Sequence, residues 1–248
     1  MSGHSKWAGI KHKKAVVDAK RGKIFSKIIR ELNVACKEGG ANPGDNPRLR
    51  LVIQKAKQFN MPAENIKRAL AKSAESSVNY ETVRYEGYGP GGVAVMVDAQ
   101  TDNRNRTTQE IKNIFSGHGG NFGEVGCVAW MFSKKGCIHA SSDAGEEKVM
   151  DAAISSGAED IRETAEGFEI FTSPDNFEKV TEALKKAGIE IVSSSVSNIP
   201  QTSVLLEGEK ARATLRLMDE LDNHDDVMET SANFDIDDAE IEQISENL

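Results

Sequence analysis

The stretch "CIHASSDAGEEKVMDAAISSGAEDIRETAEGFEIFTSPDNFEKVTEALKKAGIEIVS", residues 137–193, decides the fold of the middle of the chain. Residues 137–140 read as a short strand, and "EEKVMDAAISSG" as a helix that Gly157 ends. Residues 160–163 and 168–172 read as two strands around a turn at Glu166 and Gly167. "SPDNFEKVTEALKKAG" is a second helix, with Ser173 as its cap and Gly188 as its stop, followed by a strand over residues 189–193. The order β-α-β-β-α-β within some 65 residues predicts a ferredoxin-like unit.

The flanks on either side are incomplete alone and complete together. Residues 82–86 and 93–99 carry strand signals joined by the loop "GYGPGG". A helix is predicted over 104–116, the glycine-rich loop "GHGGNFGE" follows, and residues 125–132 read as a strand. After Pro200 come a helix over 208–223, a strand over 227–235 and an acidic tail expected to fray at its end. The predicted class is α+β with three domains: a helical domain over 1–78, an α/β domain from 79–133 plus 202–248, and the ferredoxin-like unit over 134–201 inserted in it. A chain of 248 residues is long enough for two or three such cores.

Charge is divided unevenly along this plan. The chain has formal net charge −8, yet residues 1–77 hold 17 Lys and Arg against 6 Asp and Glu, and the remainder 14 against 33. A front end of +11 on a body of −19 points to a polyanionic partner for the front end. Residues 1–22 show no clean apolar period and read as an arm, partly helical over 11–19. Ile24, Phe25, Ile28, Ile29 and Leu32 then recur at helical spacing up to Gly39 and Gly40. Asn46 and Pro47 open a second helix, and "MPAENIKRALAKS" is a third. "SAESSVN", residues 73–79, reads as a linker.

Lysine and arginine supply charge-assisted bonds to phosphate. The predicted phosphate contacts are Lys6, Lys11, Lys13, Lys14, Lys20, Arg21, Lys23, Lys27 and Arg30 on the arm and first helix. Arg48, Arg50, Lys55, Lys57, Lys67 and Arg68 belong to the next two helices. Trp7 and His12 suit stacking on bases or sugars; Trp7 suits equally well an apolar anchor of the arm. "TDNRNRT", residues 101–107, places Arg104 and Arg106 at a strand-to-helix turn, where a phosphate contact and an Asp102-capped helix with a local ion pair both fit.

Other chemistries find little support. Gly87, Gly89 and Gly92 match GxGxxG but lead into the strand-like "VAVMV", where a dinucleotide site needs a helix. "RGK" lacks the spacing of a P-loop. Cys36, Cys127 and Cys137 suit neither a disulfide framework nor a metal knuckle and read as unpaired thiols. His4, His12, His118, His139 and His224 are scattered, and Cys137 with His139 lacks a second ligand pair. The acids of 219–226 lack EF-hand spacing and read as a solvated helix end. "EGFEIF" lacks the basic residue of an RNA-recognition strand, so Phe168 and Phe171 are assigned to a core. No catalytic motif stands out, and no enzyme activity, cofactor, metal or small-molecule substrate is expected. No apolar run approaches the roughly 18 residues of a membrane span. The N-terminus lacks a signal peptide's apolar region and Ser2 replaces a myristoylation glycine. A cytoplasmic monomer without a membrane partner is expected.

The strings "GHSKWAGIKHKK", "DAKRGKIFSKIIREL", "NPRLRLVIQKAKQFNMPAENIKRA", "YEGYGPGGVAVMVD" and "TDNRNRT" closely resemble the YebC family. That family includes PmpR-type regulators and the mitochondrial translational activator of cytochrome c oxidase. The resemblance runs over almost the whole chain and implies the three-domain form predicted above. It implies a DNA-binding transcriptional regulator, or alternatively a ribosome-associated translation factor that binds ribosomal RNA and helps synthesis past proline runs. It hands over no catalytic residue.

Overall fold

A computed structural model describes residues 18–75, 79–164 and 167–245 of the chain. They divide into two compact units: Phe132–Gln201, and the residues on both sides of it.

The first unit has the predicted ferredoxin-like order. Its elements are β4 (Phe132–Ser141), α5 (Glu146–Ser156), β5 (Asp160–Thr164), β6 (Gly167–Thr172), α6 (Phe177–Lys186) and β7 (Ile191–Pro200). The sheet runs β5-β6-β4-β7, with every neighbouring pair antiparallel. Ile138 and Ile170 face each other across β4 and β6 and are fully buried, as are Val149 and Ala153 of α5 and Val180 and Leu184 of α6. Phe168 and Phe171 are buried, as assigned. Gly167 has φ +135°, and a Cβ there would collide with the Ala140 carbonyl. Ser173 does not cap α6: its hydroxyl accepts the Asn176 N–H at 3.3 Å in a turn, and the helix starts at Phe177. Both outer strands of the segment, β4 and β7, run longer than predicted because their ladder continues to Phe132 opposite Pro200.

The second unit begins with three helices, α1 (Asp18–Gly39), α2 (Pro47–Gln58) and α3 (Ala63–Glu75). Ile28, Leu32, Ala35 and Cys36 pack on Leu49, Val52, Ala56, Met61, Ile66 and Ala69. Burying Leu32 and Leu49 completely contributes about 1.5–3 kcal/mol each. Asn46 sets the α1–α2 corner. Its carboxamide oxygen accepts the Leu49 N–H at 3.0 Å, and its NH₂ donates to the Ala35 and Gly40 carbonyls at 2.8 Å each. Two predicted boundaries shift. Helix α1 already includes Asp18 to Arg21, assigned to the arm, and α3 runs through Ser73 to Glu75 into the predicted linker. The buried Ser73 hydroxyl donates to the Ala69 carbonyl inside that helix. Residues 11–17, predicted partly helical, lie outside the described residues.

The rest of this unit is a sheet of order β3-β1-β2-β9, from β1 (Glu81–Tyr88), β2 (Ala94–Thr101), β3 (Asn121–Phe122) and β9 (Val227–Ala232). Helices α4 (Arg104–Gly117), α7 (Gly208–Asn223) and α8 (Asp238–Ser245) share its core with Val95, Val97, Ile111, Phe115, Leu215 and Leu221. Strand β8 (Val204–Leu205) pairs with β10 (Phe234–Asp235) in parallel. Two predictions are corrected here. Residues 125–131 are not a strand, because the Glu86 carboxylate takes the N–H groups of Gly126, Val128 and Ala129 that a ladder would use. The strand over 227–235 breaks at Asn233, whose side chain and N–H both bond Ala94. Within the acidic tail, Asp238–Ser245 form α8, because Ile241 and Ile244 are buried against the core, and residues 246–248, expected to fray, lie outside the described residues.

Asn46→Ala removes the α2 cap and strands two carbonyls. The helical domain should lose about 2 kcal/mol or more, read as a lower urea midpoint at unchanged slope.

Candidate nucleic-acid interface

The predicted cations separate by what they touch. Lys6, Trp7, Lys11, His12, Lys13 and Lys14 lie outside the described residues, and Lys20 and Arg21 lie on the first turn of α1. Lys57 on α2 and Lys67 and Arg68 on α3 are exposed. None of these three has an ion pair among the described residues. Lys72, on the last turn of α3, is exposed too.

The remaining cations are engaged within the unit. Arg48 pairs with Glu38, Lys55 with Glu31 at 2.6 Å, and Arg50 donates to the Pro43 and Gly44 carbonyls. Arg104 meets Glu81 at 3.1 Å. Residues 23, 27 and 30 fall at i, i+4 and i+7, so α1 turns their side chains to one side. That side faces the α/β domain. Lys23 donates to the Asn223 carbonyl at 3.3 Å and Lys27 to the Asp222 carbonyl at 2.6 Å. Arg30 reaches the Gln100 and Asp225 carbonyls at 3.0 and 2.9 Å and lies over the Tyr80 ring.

These contacts converge on Asp226, a residue only 4% exposed. Arg30 Nη1 is 2.8 Å from its Oδ1, while Arg106 Nη2 and the Thr107 hydroxyl are 2.7 and 2.6 Å from Oδ2. Burial alone pushes its carboxyl up. The Thr107 and Arg106 hydrogen bonds, the Arg30 charge and Thr101 outweigh that and hold it below the ordinary carboxylate range. Sequence reasoning placed Asp226 on a solvated helix end; the sheet instead buries it beside the α4 N-terminus. It also made Asp102 a candidate cap for α4, whereas Asn103 is the cap, accepting the Arg106 N–H at 3.1 Å.

Glu110, His224 and Asp226 stand close enough to suggest a cation site. Their hydrogen bonds argue otherwise. His224 Nδ1 accepts the Asp226 N–H at 3.1 Å, so Nε2 carries the proton and faces Glu110 at 3.0 Å. With both ring nitrogens engaged and two guanidiniums on Asp226, a metal would meet positive charge first.

A thiol–imidazole–carboxylate chain occurs in the ferredoxin-like unit. Cys137 Sγ is 3.4 Å from His139 Nε2, and His139 Nδ1 is 3.8 Å from Glu169. Burial and the Glu169 charge push the thiol up to about 12, with Arg162 opposing, so the sulfur stays protonated at neutral pH. The thiols of Cys36 and Cys127 are free as predicted and are likewise pushed up by burial.

The glycine motif at Gly87, Gly89 and Gly92 joins β1 to β2 through a tight turn over Pro90–Gly92 and opens no α-helix. Beside it lies a feature that motif reading missed. The Glu86 carboxylate, 2% exposed, accepts three N–H bonds of 2.8 Å and shapes a loop on which Val125 and Trp130 are 82% and 70% exposed. An isolated acid inside a strand pattern was the available signal. Among the described residues, no helix is long and apolar enough to cross a membrane.

Comparison with known proteins agrees with this architecture. The family description "TACO1/YebC protein N-terminal domain" matches residues 5–76, and "TACO1/YebC second and third domain" matches residues 80–234. The chain is 50% identical over 246 residues to a "Probable transcriptional regulatory protein" of Geobacter sulfurreducens, covering 98% of this chain and all of that one. A protein of the same description from Dictyoglomus thermophilum is 49% identical over 249 residues, with 99% and 100% covered. The crystal structure of a conserved hypothetical protein from Aquifex aeolicus superposes with a TM-score of 0.80 at 46% identity, covering 89% of this chain and 93% of that one. The fold is α+β, with an N-terminal helical region followed by α/β domains. The chain belongs to the TACO1/YebC family.

Glu86 supplies a pH test. Burial pushes its carboxyl up, but the N–H bonds from Gly126, Val128 and Ala129, with Arg84, hold it below its ordinary value. A folded value below the unfolded one, about 4.3, gives stability that is full above that pH and lost as pH falls through the folded value. Glu86→Gln should cost about 1–3 kcal/mol at neutral pH, and the difference from the parent should shrink on acidification below about pH 4 in urea titrations.

Proposed function

We propose that this protein regulates gene expression by binding nucleic-acid backbone through its N-terminal helical domain, without catalysis of its own. The observation that carries the reading is the exposed trio Lys57, Lys67 and Arg68 on α2 and α3, within a segment where residues 18–75 hold 13 Lys and Arg against 6 Asp and Glu. The basic arm over residues 1–17 continues that charge along the chain. The acidic α/β sequence repels phosphate and orients the approach.

The names of the relatives point to transcription, and hence to duplex DNA. Contacts of this kind grip phosphate and position the protein without reading bases. A folded ribosomal RNA therefore satisfies the same cations, and a translation role is the second reading. Crosslinking in cells with sequencing of the bound nucleic acid separates the two: promoter DNA supports the first, ribosomal RNA the second, and enrichment of neither overturns both.

Replacing Lys57, Lys67 and Arg68 together by Gln should weaken binding to a random-sequence DNA duplex at low salt. It should also lower the slope of log affinity against log salt by about 2–3, as expected for three lost phosphate contacts. An unchanged slope by fluorescence anisotropy sinks the assignment of this face.

A further inference from the structure

Lys23, Lys27 and Arg30 are the same kind of group as the exposed trio, yet the fold engages them on the sheet domain, with Lys23 still exposed and Lys27 and Arg30 half-buried. Their partners are of one kind as well. Lys23, Lys27 and Arg30 donate to the carbonyls of Asn223, Asp222 and Asp225, where α7 ends, and Arg30 reaches the Asp226 carboxylate besides. Carbonyls at a helix C-terminus carry partial negative charge. The row thus sits on a surface of oxygen acceptors that offers it what a phosphate backbone would.

The seam around this row carries polar contacts, with Val34 buried on the same face of α1 four residues after Arg30. The apolar cluster of α1, α2 and α3 contains no residue of the sheet domain, and the cluster of the sheet domain contains none from the three helices. Charges and hydrogen bonds are part of what holds the seam, and added ions and competing anions weaken such contacts.

We propose that Lys23, Lys27 and Arg30 form a partly concealed second polyanion-binding row. A nucleic-acid backbone competes for them with the α7 carbonyls and Asp226, and the helical domain parts from the sheet domain as it binds. The exposed trio makes the first contact and the concealed row tightens it. The row lies on the helix that continues the basic arm, so a strand held by the arm reaches it without a gap in charge. This inference rests on the nucleic-acid reading above.

The test uses the full chain with spin labels at Glu64→Cys on α3 and Lys112→Cys on α4, both exposed positions, in a Cys127→Ser background. The distance between labels is measured by pulsed electron resonance with no addition, with a random-sequence DNA duplex, and with purified ribosomal RNA. Saturation by a bound probe should lengthen and broaden the distance distribution. Asp226→Asn, which weakens the hold on Arg30, should lengthen it without any probe and raise affinity several-fold. Arg30→Gln should also open the seam, and it serves where the buried Asp226 variant does not fold. An unmoved distance with probe bound, shown by anisotropy on the same sample, overturns the concealed row and leaves the proposed function standing. Unmoved labels in both unliganded variants overturn it too. Failure of the parent chain to bind either probe at low salt overturns the row and the nucleic-acid reading together.

Discussion

The second unit depends on one buried carboxylate. Asp226 sits at the start of β9, where α1, α4 and the end of β2 come together, and its two oxygens are shared among Arg30, Arg106 and Thr107. A carboxylate removed from water is costly unless its charge and lone pairs are matched. Here a guanidinium lies on each oxygen and a hydroxyl completes the set. The geometry of three elements must agree for that match to exist. The same anion therefore orients α4 through Arg106 and Thr107 and docks the helical domain through Arg30.

This arrangement separates two uses of positive charge in one small domain. A lysine or arginine whose neighbours are carbonyl ends and carboxylates acts as a structural counter-ion. One whose neighbours are water and other cations has charge left to offer a ligand. Arg48, Lys55, Arg104 and Arg106 belong to the first kind; Lys57, Lys67 and Arg68 belong to the second. Lys23, Lys27 and Arg30 donate to carbonyls, and Arg30 to the Asp226 carboxylate besides.

The Glu86 loop follows the same logic with signs reversed. Three backbone N–H groups of a glycine-rich segment would bind an anion, and the protein supplies its own. An apparently open loop is in this way held in one shape, and that shape places Val125 and Trp130 in solvent.

Local pattern was enough for the ferredoxin-like order, the helix over 208–223, and the Asn46–Pro47 start of α2, because each depends on side-chain period or on a cap within a few residues. The charge split was also legible, since charge is a property of composition. The loop at residues 125–131, the break at Asn233 and the helical tail were not. In each case the deciding atom comes from far along the chain: Glu86 for the loop, Ala94 for Asn233, the sheet core for Ile241 and Ile244. The candidate site divides the same way. Sequence alone determined that the front end is cationic and which residues carry the charge. Only the tertiary structure decided which of them face water and which face Asp226, because burial and pairing depend on what the fold brings within 3 Å, and spacing along the chain does not record that.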